Sequence, residues 1–371
     1  MENKKYIICF MIFICVCFLS IGYFNYEKII NFFEDREWEI ADSFATLQLE
    51  SISQVEAGKD LLVLTNSAME LYGSNAKREY QETMVTTGIY CDSCEEYMVV
   101  ATKDTNTIYL LKGSEVAWKN AFNWSILNVS VNKNGYVTVI YSQSGYKSSI
   151  KIFKPTGEEL FTTYLASTYA LDVEMSYDNK TLYIAEIDTE GIKIKSNIKI
   201  IEISDLETSQ NPTVNTILVG TDDLITDIEY SNPNQLFILK DTGMAVINSE
   251  KIIKELVSFD VKTTLFSSVK DVKNPIVIEK VSTGIFTNET NLKILKEEEI
   301  LEVKIEQTPQ SIDTMNDIIA LNLGDEVIFL NTNGKVVKRY DLEKQLSAVK
   351  LYSKGSLAAL VFRDKIELIK I

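Results

Sequence analysis

No histidine occurs in the 371 residues. That absence excludes Ser-His-Asp and Cys-His nucleophile activation and leaves any metal site without its commonest neutral ligand. Also missing are a glycine-rich phosphate loop after a strand, a calcium loop of alternating Asp and Asn closed by Glu, and Ser-x-Asp-x-Gly-x-Thr-Trp boxes of the sialidase kind. The sequence therefore offers no catalytic residue, no metal ligand set and no cofactor-binding motif. Basic residues are few, 37 Lys and Arg against 53 Asp and Glu, for a net charge of −16. Such a surface repels nucleic acid and anionic headgroups, and it reads either as ordinary solvation or as an acidic docking face. Beyond residue 40 no long stretch has helical periodicity. A content of 46% hydrophobic and 10% aromatic residues excludes a disordered tether.

What is present begins with one apolar run, residues 6–24 (YIICFMIFICVCFLSIGYF). It is uncharged and, as a helix, long enough to span a hydrocarbon core of roughly 30 Å. Lys4 and Lys5 precede it, and the following segment is dominated by Glu27, Glu34, Asp35, Glu37 and Glu39. The lysine bias predicts a five-residue cytoplasmic tail, a signal-anchor helix and a C-terminal domain outside the cell membrane. The alternative is a cleaved signal peptide, with Ser20 and Gly22 as the small residues before the cut. Residues 25–41 place Tyr26, Ile29, Ile30 and Phe33 on one helical face, which predicts a short juxtamembrane helix or linker.

The remainder, 42–371, reads as all-β. One hairpin recurs, an apolar strand, a Gly, Asn or acidic turn and a second apolar strand: IYLLKGSEVAW (108–118), IKIFKPTGEELF (150–161), MAVINSEKIIKEL (244–256), LKILKEEEILEV (292–303) and VIFLNTNGKVVKRY (327–340). Upstream of these lie further pairs whose second strand is very apolar, such as LNVSVNKNGYVTVIYS (127–142) and SAVKLYSKGSLAALVF (347–362). Four strands per unit with a buried second strand is the pattern of a β-propeller blade. Unit starts near Ile52, Gly88, Ser125, Tyr169, Leu224, Thr263, Pro309 and Leu346 give about 42 residues per unit, which favours eight blades over seven. The last unit lacks a fourth strand, and residues 42–49 (DSFATLQL) are the candidate to supply it and close the ring. A β-solenoid or a pair of sandwiches is the competing architecture.

The hairpin ending in Trp118 resembles units of quinoprotein-like and WD40-like propellers. The whole layout, a short start, one spanning helix and an acidic propeller, resembles the bacterial family known as domain of unknown function 5711. That resemblance implies an exported location and carries no activity. Only Trp118 occupies the repeated tryptophan position of true quinoproteins, so no cofactor is implied.

Cys91 and Cys94 (CDSC) align with the first turn of the second unit, where other units have NKNG or YDNK. They are the candidate disulfide, with idle thiols and redox or zinc work as alternatives. The acid pairs Asp222 with Asp223 and Glu95 with Glu96, and the run at 297–299, read as solvated turns rather than a glycosidase carboxylate pair. Connections between second and third strands are long at 142–149, 188–197 and 282–291 and short elsewhere. They would raise one rim of the disc, and Tyr146, Ile192, Ile285 and Phe286 within them are the candidate partner-binding residues; folding back onto their own blades is the alternative. The expectation is a non-enzymatic, membrane-anchored module with a protein partner in the cell envelope. A small-molecule or glycan receptor using the central channel is the second reading, and a polysaccharide-cleaving or quinone-dependent enzyme the third.

Overall fold

Outer strands of the chain alternate exposed and half-buried residues, as in Arg78–Thr83 and Ile300–Ile305, whereas second strands such as Tyr97–Thr102 and Leu357–Val361 are buried on both faces. An edge strand half in water next to a central strand wedged between sheets produces this contrast. The computed structural model describes residues 39–371 except 41–42, 50, 85–87, 209–210, 233–234, 249, 260–263, 270–271, 273, 283–287 and 297–298. It is an eight-bladed β-propeller of four-stranded antiparallel sheets.

Blades 1 to 7 follow the chain in order, and their innermost strands are Ile52–Ala57, Ile89–Cys94, Ser125–Val131, Thr168–Met175, Ile225–Asn232, Thr264–Ser268 and Ser311–Met315. Blade 8 has the inner strand Ala348–Tyr352, then Leu357–Val361 and Lys365–Lys370, and its outer strand comes from the other end of the chain. Ser43–Gln48 pairs antiparallel with Lys365–Lys370, Leu47 opposite Ile366. This pairing ties the ring shut.

Between blades, apolar layers fill the wedges. Trp118, on the outer strand of blade 2, packs against Phe153 of blade 3 with ring centroids 5.6 Å apart. The blade-3 turn beside it needs glycine twice over. Gly157 has φ +84° and a Cβ there would come within 2.9 Å of the Trp118 ring; Gly135, at φ +80°, would meet the Tyr97 ring at 2.6 Å. Sheets of neighbouring blades therefore touch where these turns carry no side chain.

Three expectations change. Glu39–Ile40 is not helical: it is a short strand running parallel to Lys338–Arg339 on the outer edge of blade 7. CDSC is not a turn. It forms the end of the inner strand Ile89–Cys94, and the turn is the two residues Glu95 and Glu96. Thirdly, the long connections are shorter than the sequence suggests, because the hairpin strands extend into them: Ser148 and Lys195 already begin third strands. The apolar run 6–24 lies outside the described residues, among which no helix is long and apolar enough to cross a membrane.

Ring closure gives a direct expectation. Deleting residues 1–50 leaves the edge of Lys365–Lys370 unpaired, and thermal melts with size-exclusion chromatography should show a lower, broader transition and self-association. An unchanged melting temperature and a clean monomer would contradict it.

Candidate functional site

A propeller's inner strands have one edge without a sheet partner, so their backbone groups face a channel and need other hydrogen bonds. Here side chains of adjacent blades supply them. The Val131 N–H donates to Asp92 at 2.9 Å, Ile228 N–H to Asp172 at 3.1 Å and Leu351 N–H to Asp313 at 2.6 Å. Hydroxyls work in the opposite sense: Ser93 donates to the Ala57 carbonyl at 2.7 Å and Ser130 to the Val173 carbonyl at 2.6 Å. Asn128 adds a 3.3 Å bond to Asp172. Blades 1 to 5 and 7 to 8 are stitched in this way around the axis.

The stitching makes the channel acidic. Asp92, Asp172 and Asp313 are joined on the inner strands by Glu56, Glu174, Asp227 and Glu229, while the same strands carry one cation, Lys350. Asp172 is buried, which raises its carboxyl above the usual range even though it accepts from the Ile228 and Val173 N–H groups and shares a hydrogen bond with Asp227. Glu174 is different in kind. It is 9% exposed and, among the described residues, has no hydrogen-bond or ion-pair partner. Burial first, and then the negative charges of Glu229, Asp172, Asp92 and Asp227, hold its carboxyl well above the glutamate range.

At the end of the channel formed by the turns between first and second strands, a cavity of about 610 Å³ opens to solvent. Tyr177 and Tyr230 form one wall, ring centroids 5.3 Å apart, with Lys133 Nζ 4.3 Å from the Tyr177 ring centre. Lys59 and Lys354 stand on the rim, Lys354 paired with Glu95 at 3.4 Å. A second cavity of about 230 Å³, lined by Glu56, Asp313, Lys350 and Ser268, lies deeper beside blades 6 to 8. No group of three or more acidic or cysteine side chains among the described residues is arranged to hold a metal ion.

The sequence-predicted residues distribute unevenly. No disulfide joins Cys91 and Cys94, which lie on opposite faces of their strand: Cys91 packs towards blade 1, with Gln54 Nε2 3.0 Å from its sulfur, and Cys94 towards blade 3. Tyr146 and Ile192 lie together on the opposite mouth of the disc. Tyr146 stacks on Tyr164 at 4.6 Å, and Lys147 beside it reaches the Ser167 carbonyl, Glu190 and the face of Tyr169, joining blades 3 and 4. Ile192 projects fully into solvent, with Ile194, Leu218 and Trp124 also exposed at that end. Ile285 and Phe286 lie outside the described residues. The turn acids behave as surface: Asp222 pairs with Lys193 at 2.6 Å and Glu96 with Lys112 at 3.2 Å. Sequence reasoning missed the channel carboxylates; the available signal was acidic residues recurring on strands that are otherwise apolar, as in LDVEM and TDIEY.

Two measurements follow. Asp313→Ala removes the acceptor of the Leu351 N–H and should cost about 1–3 kcal/mol in chemical denaturation; no loss would contradict the stitching role. For Glu174 the folded state holds a proton more tightly than the unfolded chain, so stability falls as pH rises from the ordinary glutamate value towards the raised one. Glu174→Gln should therefore be more stable than the parent at about pH 8 and show a flatter pH profile down to about pH 5. Parallel profiles would overturn the assignment.

Comparison with known proteins agrees on the fold. The C-terminal WD40 domain of Sif2 superposes with a TM-score of 0.59 at 13% identity, covering 90% of this chain and 99% of that one. Dihydro-heme d1 dehydrogenase NirN gives 0.57 at 12% identity over 87% of this chain and 75% of that one, and Sqt1 from Chaetomium thermophilum 0.54 at 8% over 89% and 98%. At such identities the likeness shows the propeller alone. No curated protein matches the sequence. The pattern of DUF5711, a family of unknown function, matches residues 35–371, and the chain belongs to that family.

Proposed function

We propose that this protein is a non-enzymatic interaction module of the cell envelope, anchored by residues 6–24 and presenting the propeller outside the membrane to a protein partner. The observation that carries this reading is the exposed aromatic and aliphatic surface on one mouth of blades 3 and 4: Tyr146 on Tyr164, Tyr169, Ile192, Ile194 and Leu218. Apolar side chains gathered at one place, with charged neighbours such as Lys147 and Lys193 around them, have the composition of an interface centre and its rim. Tyr146 sits on one hairpin and Ile192 and Ile194 on another, both with bases fixed by full ladders, and Tyr164, Tyr169 and Leu218 lie on neighbouring strands of the same two blades, so the patch is presented on a rigid support. The anchor rests on the sequence, through the uncharged run and its lysine flank.

In-cell photocrosslinking separates this reading from the alternatives. Probes at Tyr146 and Ile192 should capture a discrete partner, and a probe at Asn106, on a short connection of blade 2, should not. Ile192→Asp should reduce capture by about 30-fold, corresponding to roughly 2 kcal/mol for an interface anchor. Equal or absent capture at all three positions would reject the reading.

A further inference from the structure

The last strand of each blade ends its sheet, and such an edge is open to pairing with another chain unless charge, brevity or a covering segment protects it. Blades 1, 2, 3, 5, 6 and 7 each carry at least one charged residue on that strand, and the edge of blade 7 is also covered by Glu39–Ile40. Ser43–Gln48 of blade 8 has no charge, but the Lys370 ammonium stands 5.5 Å from the centre of its Phe44 ring. Val214–Thr221 of blade 4 has none of these defences. At 8 residues it is longer than the other outer strands, and it lies within residues 208–221, the longest uncharged run of the propeller. Val214 is 54% and Leu218 56% exposed, and no strand among the described residues pairs with the outer edge.

The local geometry says what fits there. The Glu202 N–H donates to the Thr213 carbonyl at 2.9 Å, Val214 stands opposite Ile201 and Thr216 opposite Lys199. Bonding in an antiparallel pair alternates residue by residue, so Val214, Thr216 and Leu218 turn their backbone N–H and C=O groups to the open edge. Their side chains share one face, while Ile217 and Val219 pack into the apolar layer against blade 5. An antiparallel strand centred on Thr216 sets position 214 opposite 218 and 216 opposite itself. If that strand is the same segment of a second copy, Val214 meets Leu218 twice, Thr216 meets Thr216 and Asn215 meets Ile217. No charge faces another, because residues 208–221 have none. Two chains of net charge −16 repel each other, and this edge lets them meet without juxtaposing like charges.

We propose that the protein forms a two-fold dimer through this edge, Val214–Thr221 pairing antiparallel with the same strand of a second copy, so that two four-stranded blades become one eight-stranded sheet. A two-fold axis at Thr216 uses the unprotected edge of both discs and closes the assembly at two copies. The inference does not rest on the patch at the mouth: Tyr146 and Ile192, which test that patch, take no part in the pair.

Sedimentation velocity of the full-length protein in detergent micelles, across a concentration series, tests it. The account expects a monomer–dimer equilibrium. Thr216→Lys sets two ammonium groups opposite each other and should weaken dimerisation about 5-fold, the equivalent of roughly 1 kcal/mol for like charges on facing strands. Thr216→Glu should do the same, and an equimolar mixture of the two variants should dimerise again, which a folding defect would not allow. In membranes, Thr216→Cys should give an oxidised dimer, since facing residues of such a pair lie about 5.5 Å apart at Cα, within disulfide reach. Gln81→Cys, on the charged outer strand of blade 1, should not. A monomer at every concentration, dimerisation insensitive to Thr216→Lys, no recovery in the mixture, equal crosslinking at both cysteines, or Thr216→Cys linking to a different protein would each overturn the proposal.

Discussion

The bonds from Asp92, Asp172 and Asp313 to backbone N–H groups of the next blade are the interaction on which the rest depends. Each blade's inner strand has a neighbour on one side and open channel on the other. Without these carboxylates the Val131, Ile228 and Leu351 N–H groups would have water alone, and the blades would keep their apolar layers and hydroxyl bonds such as those of Ser93 and Ser130. A charge-assisted bond to an amide is among the stronger neutral-pH contacts available to a β edge. It also fixes blade-to-blade register, since a carboxylate one residue out of place would point into the apolar wedge.

The consequence is an acidic axis. Beside the three carboxylate stitches, Glu174 and Glu229 bring further acidic groups to the axis, and Lys350 is the one cation on the inner strands named above. Serine and threonine replace acids around blade 6, where Ser268 and Thr314 bond to each other at 3.0 Å. The channel is thus asymmetric in charge, negative towards blades 4 and 5 and near neutral towards blade 6. The two mouths differ as well. One has tyrosines and lysines over the acidic wall; the other has the apolar patch of blades 3 and 4. A single disc therefore presents two chemically distinct surfaces.

Blade number and boundaries were legible in the sequence because the second strands are too apolar to be anything but central, and the turns between them carry Gly, Asn or Asp. Inner strands begin at Ile89, Ser125, Thr168 and Ile225, within a residue of the positions the repeat suggested. The channel was not legible. Inner strands carry bulges, between Ile126 and Asn128, Ala170 and Asp172, and Ile225 and Asp227, and each bulge breaks the two-residue alternation from which facing is read. CDSC misled for a related reason: blade 2 makes its first turn with Glu95 and Glu96 alone, Glu95 at φ 54°, so the strand runs through both cysteines where longer turns occupy blades 3 and 4. Tyr146 and Ile192 were readable as loop residues, but their grouping with Tyr164 and Leu218 depends on strand ends that only the fold brings together.

The central claim is that the inner strands crowd acids along one axis, where burial and its acidic neighbours make Glu174 hold its proton. The most direct measurement is a carboxyl-carbon NMR titration of the protein carrying labelled glutamate, with the Glu174 signal assigned by Glu174→Gln. The account predicts a titration midpoint well above that of the other glutamates. A midpoint in the ordinary glutamate range would contradict it.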